Sequence, residues 1–339
     1  MNKKTWGILV HLGRNMWGDL RKTNVVEWQD ETWEEVFKKC VECKLNTIVI
    51  DVAEGVQWKS HPELAIEGSW SYEKVQNEVK RLRSLGIDVI PKLNFSSVHD
   101  VWLGDYARMI STDIYYKVCK DLIFETYDMF LQPEYIHIGM DEENWKHVTD
   151  KGYEIVTIRR DDLLVKDINY LADCVKETGA KCHMWHDPFK DLEEEYSKDI
   201  YDDILPYVWM YYSYLKENWN LIAEQEDEVR IWYETQFVKR YGYTIDYVEE
   251  SPSVLMAIEL LEEFIKKGKK FLMTTSNLYI KNCEKDALEF IRRNDPEFKC
   301  FEGMITAPWG RVVADRKDFL CEAIELVGKA KETYEELVK

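Results

Sequence analysis

Short apolar runs recur eight times along this chain, and stretches of helical periodicity lie between most of them. The runs fall at 7–12, 47–52, 87–93, 135–140, 181–185, 206–211, 270–275 and 301–307. Each is the length of a strand buried on both faces. Helical patterns separate them. Asp30 or Thr32 can cap one running to about Lys44, Ser71 opens one that ends before Gly86, and Ser111 or Thr112 opens one reaching Phe130. Further helical stretches are 161–178, 252–267, 283–293 and 316–337. Gly86, Gly179 and Gly268 follow three of these helices, where a left-handed residue closes the last turn. Eight strand candidates alternating with helices predict an α/β fold, a (β/α)8 TIM barrel, read as a single domain over residues 1–339. The segment 213–250 exceeds the length of one crossover and is rich in Trp and Tyr. It is expected to be an elaborated loop between strands 6 and 7.

Charge and cysteines narrow the partners. A formal charge of -19 argues against nucleic acid or an anionic membrane. The basic clusters Lys80–Arg83 and Lys266–Lys270 sit at apparent helix ends, where cations suit the dipole. No apolar stretch approaches a membrane span, and the apolar run after Lys4 is broken too early by His11, Gly13 and Arg14 to be a signal peptide. The eight cysteines show no zinc-like spacing. Cys40 and Cys43 read as semi-buried thiols on adjacent helical turns, and the whole set as reduced, which points to a cytoplasmic location. No cofactor or metal is expected. His186-Asp187 resembles a metal pair but lacks an evident third ligand.

The run Tyr135-Ile-His-Ile-Gly-Met-Asp-Glu-Glu143 begins as an apolar strand and ends in adjacent acids. In a barrel of this kind, chemistry gathers where strands end at the C-terminal face. Strand 1 leads to Arg14, Asn15 and Trp17, strand 2 to Asp51, Glu54 and Trp58, and strand 3 to Asn94, His99 and Trp102. Strand 4 delivers Asp141, Glu142, Glu143 and Trp145, strand 5 Trp185, His186 and Asp187, and strand 6 Trp209, Tyr211 and Tyr212. Asn277 and Tyr279 follow strand 7, and Trp309 and Arg311 follow strand 8. An aromatic ring beside a polar group at nearly every strand end suits a saccharide, whose C–H faces need platforms and whose hydroxyls need hydrogen bonds. Two carboxylates in one cleft are the minimum equipment for cleaving a glycosidic bond. The structural alternatives are plain: Asp141 as a helix N-cap, Glu142 as a first-turn acid, the aromatics as plugs of the barrel mouth.

Four ordered blocks resemble the catalytic barrel of family 20 glycoside hydrolases, the β-N-acetylhexosaminidases. Gly7-Ile-Leu-Val-His-Leu-Gly-Arg14 is similar to that family's first strand. Lys44-Leu-Asn-Thr through Asp51, Glu54, Trp58 and His61-Pro-Glu-Leu64 is similar to its second strand and loop. Gly68-Ser-Trp-Ser-Tyr leads on to Gly86-Ile-Asp-Val-Ile-Pro91, and His137-Ile-Gly-Met-Asp-Glu142 resembles the family's His-x-Gly-Gly-Asp-Glu motif. The likeness runs from about residue 6 to 145 and then thins to Trp185, Trp209, Tyr279 and Trp309.

The resemblance implies a retaining, substrate-assisted hydrolase acting on a non-reducing β-linked N-acetylhexosamine. Glu142 would be the general acid and base, and Asp141 would orient the 2-acetamido group. Tyr279 would hold the acetamido carbonyl oxygen, Arg14 the ring hydroxyls, and Trp209 and Trp309 the pocket walls. Glu54, His99 and Trp185 join the expected substrate-binding set. The partner is then an oligosaccharide or glycoconjugate, with a homo-oligomer possible, since the small α+β domain that many members carry before the barrel has no room here. There are departures. Met140 replaces a glycine, His11 and Asp51 stand with their types exchanged, and Lys281 and Arg311 occupy positions where acids usually receive the sugar's 4- and 6-hydroxyls. The exchange suggests that His11 and Asp51 touch as a pair. The two cations suggest an anionic sugar, or else simple pairing with Glu54, Glu143 or other acids. Two further readings stand beside the hydrolase: a non-catalytic carbohydrate-binding barrel, and a retaining glycosidase with a carboxylate nucleophile such as Glu54 or Asp187.

Overall fold

Each apolar run becomes one strand of a closed parallel barrel, paired in sequence order with the eighth strand against the first. The computed structural model describes residues 3–15, 23–143, 157–209, 211, 252–278 and 283–339. The strands are β1 Thr5–His11, β2 Thr47–Asp51, β3 Asp88–Lys92, β4 Tyr135–His137, β5 Lys181–Trp185, β6 Leu205–Trp209, β7 Phe271–Thr275 and β8 Phe301–Thr306. The helices are α1 Asp30–Glu42, α2 Tyr72–Ser84, α3 Asp113–Met129, α4 Asp161–Thr178, the short α5 Asp187–Asp191 and α6 Glu194–Ser197, then α7 Pro252–Lys267, α8 Cys283–Asn294 and α9 Lys317–Leu337. The expected elaborated loop at 213–250 lies outside the described residues.

Local chemistry explains the helix limits. The Ser71 side chain accepts from the Lys74 amide and the Thr112 side chain from the Tyr115 amide, so each caps an otherwise unpaired donor. Gly86, Gly179 and Gly268 end their helices at φ of 78°, 99° and 72°. Helix α1 buries Trp33, Val36, Phe37 and Cys40, one face at three- and four-residue spacing. Burial pushes the Cys40 and Cys43 thiols up, so both stay protonated and unreactive. No described helix is long and apolar enough to cross a membrane.

Inside the barrel the period-two alternation of a strand builds layers. Leu9, Val49 and Ile90 belong to an apolar cluster with Trp185, Tyr207, Leu272 and Ile305. Two residues further along the same strands, on the same inward side, stand His11, Asp51 and Lys92. These are matched in register, and Lys92 is matched in turn with His137 and His137 with His183. A buried polar row therefore crosses five adjacent strands below the barrel mouth. His11 and Asp51 do touch, at 3.7 Å, but that is beyond hydrogen-bond reach. The partner of Asp51 is the Lys92 ammonium, and both side chains are fully buried. Burial and the nearby Lys92 charge hold the His11 imidazole neutral, well below its usual value. The two positions thus touch as expected, but the hydrogen bond to Asp51 comes from Lys92, beside a neutral histidine.

Candidate active site

The expected fourth strand, 135–140, stops at His137 because the backbone turns left-handed. Gly139 has φ 79°, Met140 73° and Glu142 55°. Only glycine fits at 139: a Cβ there would lie 2.2 Å from Asn94 Oδ1. This coiling has a chemical result. Successive side chains of an extended strand point to opposite faces. Here the Asp141 and Glu142 carboxylates approach the same imidazole instead. His99 Nε2 lies 3.1 Å from Glu142 Oε2 and 3.5 Å from Asp141 Oδ2. Asn94 Nδ2 donates to Asp141 Oδ1 at 2.8 Å, while Asn94 Oδ1 accepts from the Ser96 amide at 3.1 Å. Asp141 is buried, whereas the Glu142 side chain keeps 26 % of its surface exposed. One acid is fixed and the other reaches open space.

The third acid has a different fate. Glu143 accepts from the Arg159 amide, Nε and Nη2 and from the Ser97 amide. Arg159 is fully buried and also reaches Asp167 at 3.1 Å and the Phe95 carbonyl at 2.7 Å. Glu143 is scaffold that fastens the end of the acid run to the residues just before α4.

The aromatic residues divide likewise. Trp209 stacks on Tyr211 with centroids 5.3 Å apart, and Tyr211 meets Trp309 edge to face at 6.3 Å. Trp209 and Trp309 are partly exposed and form a wall. The Trp209 indole donates to Asp187 Oδ2 at 2.8 Å. Burial, only partly offset by Lys190, pushes the Asp187 carboxyl up to about 7. Trp185 is fully enclosed under Trp309, 6.0 Å away, and presents no surface to a ligand. It supports the wall from below, a correction to its expected substrate-binding role. His137 is equally enclosed, accepting from the Gly139 amide at 3.0 Å between Trp185 and Tyr207.

Three other expected ligands resolve as follows. Glu54 is buried and accepts from the Arg14 and Asn15 amides at 2.6 and 2.9 Å. It clamps the loop after β1 rather than facing a ligand. Arg14 and Arg311 both bond Glu27, and Arg311 also reaches Asp315 at 3.3 Å. Neither Glu54 nor Glu143 is the partner of Arg311. Tyr279, Lys281, Trp17, Trp145 and Tyr212 lie outside the described residues. Among the described residues, His99, Asp141 and Glu142 are the group able to converge on a cation, with ligand atoms within 4.8 Å of one another. His186 and Asp187 gain no third ligand in that group.

Sequence reasoning missed several of these holders. Lys92 carried a usable signal, because a charge within an apolar strand run must find a buried partner. Asn94 was placed at its strand end but not tied to Asp141. Arg159 and Glu27 sit in polar stretches that resemble any surface loop.

A (β/α)8 barrel with a convergent acid pair at the mouth of its fourth strand is the class that fold and site define. No protein-family model matches the chain. Over 161 residues it is 29 % identical to the lacto-N-biosidase of Bifidobacterium bifidum, a stretch covering 39 % of this chain and 14 % of that protein. Among solved structures, Dispersin B aligns at a TM-score of 0.61 and 12 % identity, over 97 % of this chain and 99 % of its own. The family 20 exo-β-N-acetylglucosaminidase of Vibrio harveyi, solved with N-acetylglucosamine, aligns at 0.62 and 12 % identity over 97 % of this chain and 54 % of its own. The β-N-acetylhexosaminidase of Bacteroides fragilis aligns at 0.57 and 16 % identity, over 99 % and 71 %. The likeness read from the motifs thus returns at the level of the fold.

Proposed function

We propose that this protein is a retaining exo-β-N-acetylhexosaminidase that works by substrate assistance. The observation that carries the reading is the convergence of Asp141 and Glu142 on His99, which requires the left-handed turn at 139–142. A strand end without that turn would separate the two acids.

The partly exposed Glu142 delivers a proton to the departing glycosidic oxygen. General acid catalysis of this kind contributes about 10²–10⁴ in rate. The substrate's own acetamido oxygen attacks the anomeric carbon, and this intramolecular geometry lowers the barrier by up to about 7–11 kcal/mol. As it attacks, positive charge develops on the amide nitrogen. Asp141, held by Asn94, accepts from that N–H and stabilises the charge. Glu142 then draws a proton from the water that opens the oxazolinium intermediate, which restores the acid and retains configuration. Trp209, Tyr211 and Trp309 wall the sugar, and Arg14 donates to ring hydroxyls. Tyr279 takes the acetamido carbonyl oxygen. The alternative with a carboxylate nucleophile is disfavoured, because Glu54 is bonded to backbone amides and the Asp187 carboxyl is pushed up to about 7 and bonded by the Trp209 indole. The substrate is an oligosaccharide or glycoconjugate. Eight cysteines, none of them in a disulfide, support a reducing, cytoplasmic setting.

Hydrolysis of 4-nitrophenyl N-acetyl-β-glucosaminide with retained configuration tests the proposal. Glu142→Gln is expected to lose about 10²–10⁴ in kcat on unactivated leaving groups, and less on nitrophenol. Asp141→Asn is expected to lose kcat on both. A thiazoline mimic of the oxazolinium ion should inhibit competitively. Turnover that is indifferent to that mimic, or to loss of the 2-acetamido group, would remove the mechanism.

A further inference from the structure

Glu27 belongs to no strand or helix, yet it stands at the barrel mouth in a fixed place. The amide of Val26 donates to the Glu67 carbonyl at 2.9 Å and that of Gln29 to the Val312 carbonyl at 2.8 Å. The segment is thereby stitched to the loop after β2 on one side and to the exit of β8 on the other. Glu27 Oε2 accepts from Arg14 Nη1, and Oε1 accepts from Arg311 Nη1 at 2.9 Å. Arg311 leaves β8 two residues after Trp309 and bridges to His11, whose ring lies stacked on Trp309 with centroids 5.3 Å apart. The three charged side chains therefore edge the same wall that carries Trp309. All three still reach solvent, with Arg14 at 28 %, Glu27 at 30 % and Arg311 at 33 % side-chain exposure. Partial burial pushes the Glu27 carboxyl up, but the bonds from Arg311 and Arg14 outweigh it and hold it below its usual value. It is ionised at neutral pH.

This arrangement alters what two arginines at a sugar site mean. Paired guanidiniums alone would invite a sulfate, phosphate or uronate. With Glu27 between them and Asp315 behind Arg311, the negative charge is already supplied by the protein. A carboxylate offers about four lone-pair positions, and the bonds from Arg14 and Arg311 leave acceptor capacity. The cluster then presents donors and acceptors side by side, which is the pattern that grips neighbouring hydroxyls of a neutral sugar.

We propose that Glu27 is a specificity-determining residue: clamped between Arg14 and Arg311, it reserves this edge of the pocket for uncharged sugar hydroxyls and turns away sugars bearing an anionic group there. The proposal rests on the hydrolase reading above and specifies its substrate class. It replaces the anionic sugar that Lys281 and Arg311 together suggest in the sequence.

The test compares kcat/KM for 4-nitrophenyl N-acetyl-β-glucosaminide and its 6-sulfate in the full chain. The wild type is expected to favour the neutral compound by about a hundredfold, since a like charge placed against Glu27 is costly. Glu27→Gln, which keeps an acceptor and removes the charge, should cut that ratio by about tenfold or more, while Glu27→Asp preserves it. Unfolding curves establish that both variants fold. A wild type that prefers the sulfate overturns the proposal, whether or not Glu27→Gln folds. So does a folded Glu27→Gln whose ratio is unchanged. In either case turnover persists and the hydrolase reading stands. A wild type that hydrolyses neither compound sinks both.

Discussion

His99 ties the two acids together, and its Nε2 faces carboxylate oxygens from both. Two acceptors around one nitrogen favour the tautomer that carries hydrogen there. A donor bonded to the charged form of a carboxyl favours ionisation. Removing it with His99→Ala should therefore raise the proton affinity of Glu142 and shift the basic limb of the kcat/KM profile to higher pH. The loosened pair should also lower kcat by about tenfold to a hundredfold, as small misplacements do. A pH–rate series on the variant checks both effects, and an unmoved basic limb would show that His99 only fills space. At this scale the sequence was readable in part. Asp141 and Glu142 stood out because acids ending an apolar strand are conspicuous. The bonds of Asn94 to Asp141 and of Glu54 to two loop amides were not readable, because both join residues about 40 or more apart in the chain.

Loops at the barrel mouth are fastened by buried charge. Arg159 joins Glu143 after β4 to Asp167 on α4, and all three side chains are at most 2 % exposed. Tyr116 and Ser111 donate to Asp167 as well. Breaking such a cluster from one side leaves uncompensated charge in the interior. Arg159→Met is expected to cost about 3–5 kcal/mol in urea unfolding. It should also lower turnover, because Glu143 adjoins the acid pair. The pair Lys92–Asp51 offers a cleaner comparison between β2 and β3. Either single apolar replacement should destabilise by a similar amount, and the double variant Lys92→Met/Asp51→Leu should recover much of the loss. Additive losses in the double variant would contradict that coupling. Strands and helices themselves were legible, since their periods of 2 and 3.6 are local properties. What each loop charge grips is decided by strands brought side by side.

Burial of titratable groups pulls the stability of the whole barrel in opposite directions as pH changes. Burial pushes the carboxyls of Asp51, Asp187 and Glu284 up, to about 6, 7 and 7. The unfolded chain releases those protons near pH 4. Between these values the folded state holds more protons, so this contribution is lost as pH rises from about 4 to about 7 and changes no further above that. Burial also lowers His11, His137 and His186 well below 6.5, and His183 to about 3. There the unfolded state takes up more protons, so stability falls as pH drops below about 6.5. Four histidines outweigh three carboxyls, so the Tm is expected to rise toward about pH 7 and level off above it. A calorimetric series from pH 5 to 9 measures this, and a Tm still climbing at pH 9 would contradict it.

Eight apolar runs, their spacing and the capping residues between them determine a parallel barrel, because hydrophobic period and backbone propensity act over a few residues. Acids closing the fourth run mark its chemical edge for the same reason. Partner choice among charges was left to the tertiary structure. Lys92 rather than His11 hydrogen-bonds Asp51, Arg159 takes Glu143, and Glu27 takes both arginines. With 64 acids and 45 basic residues in the chain, composition permits many pairings. Only the closed barrel, by fixing which strand ends are neighbours and how much water they lose, selects among them.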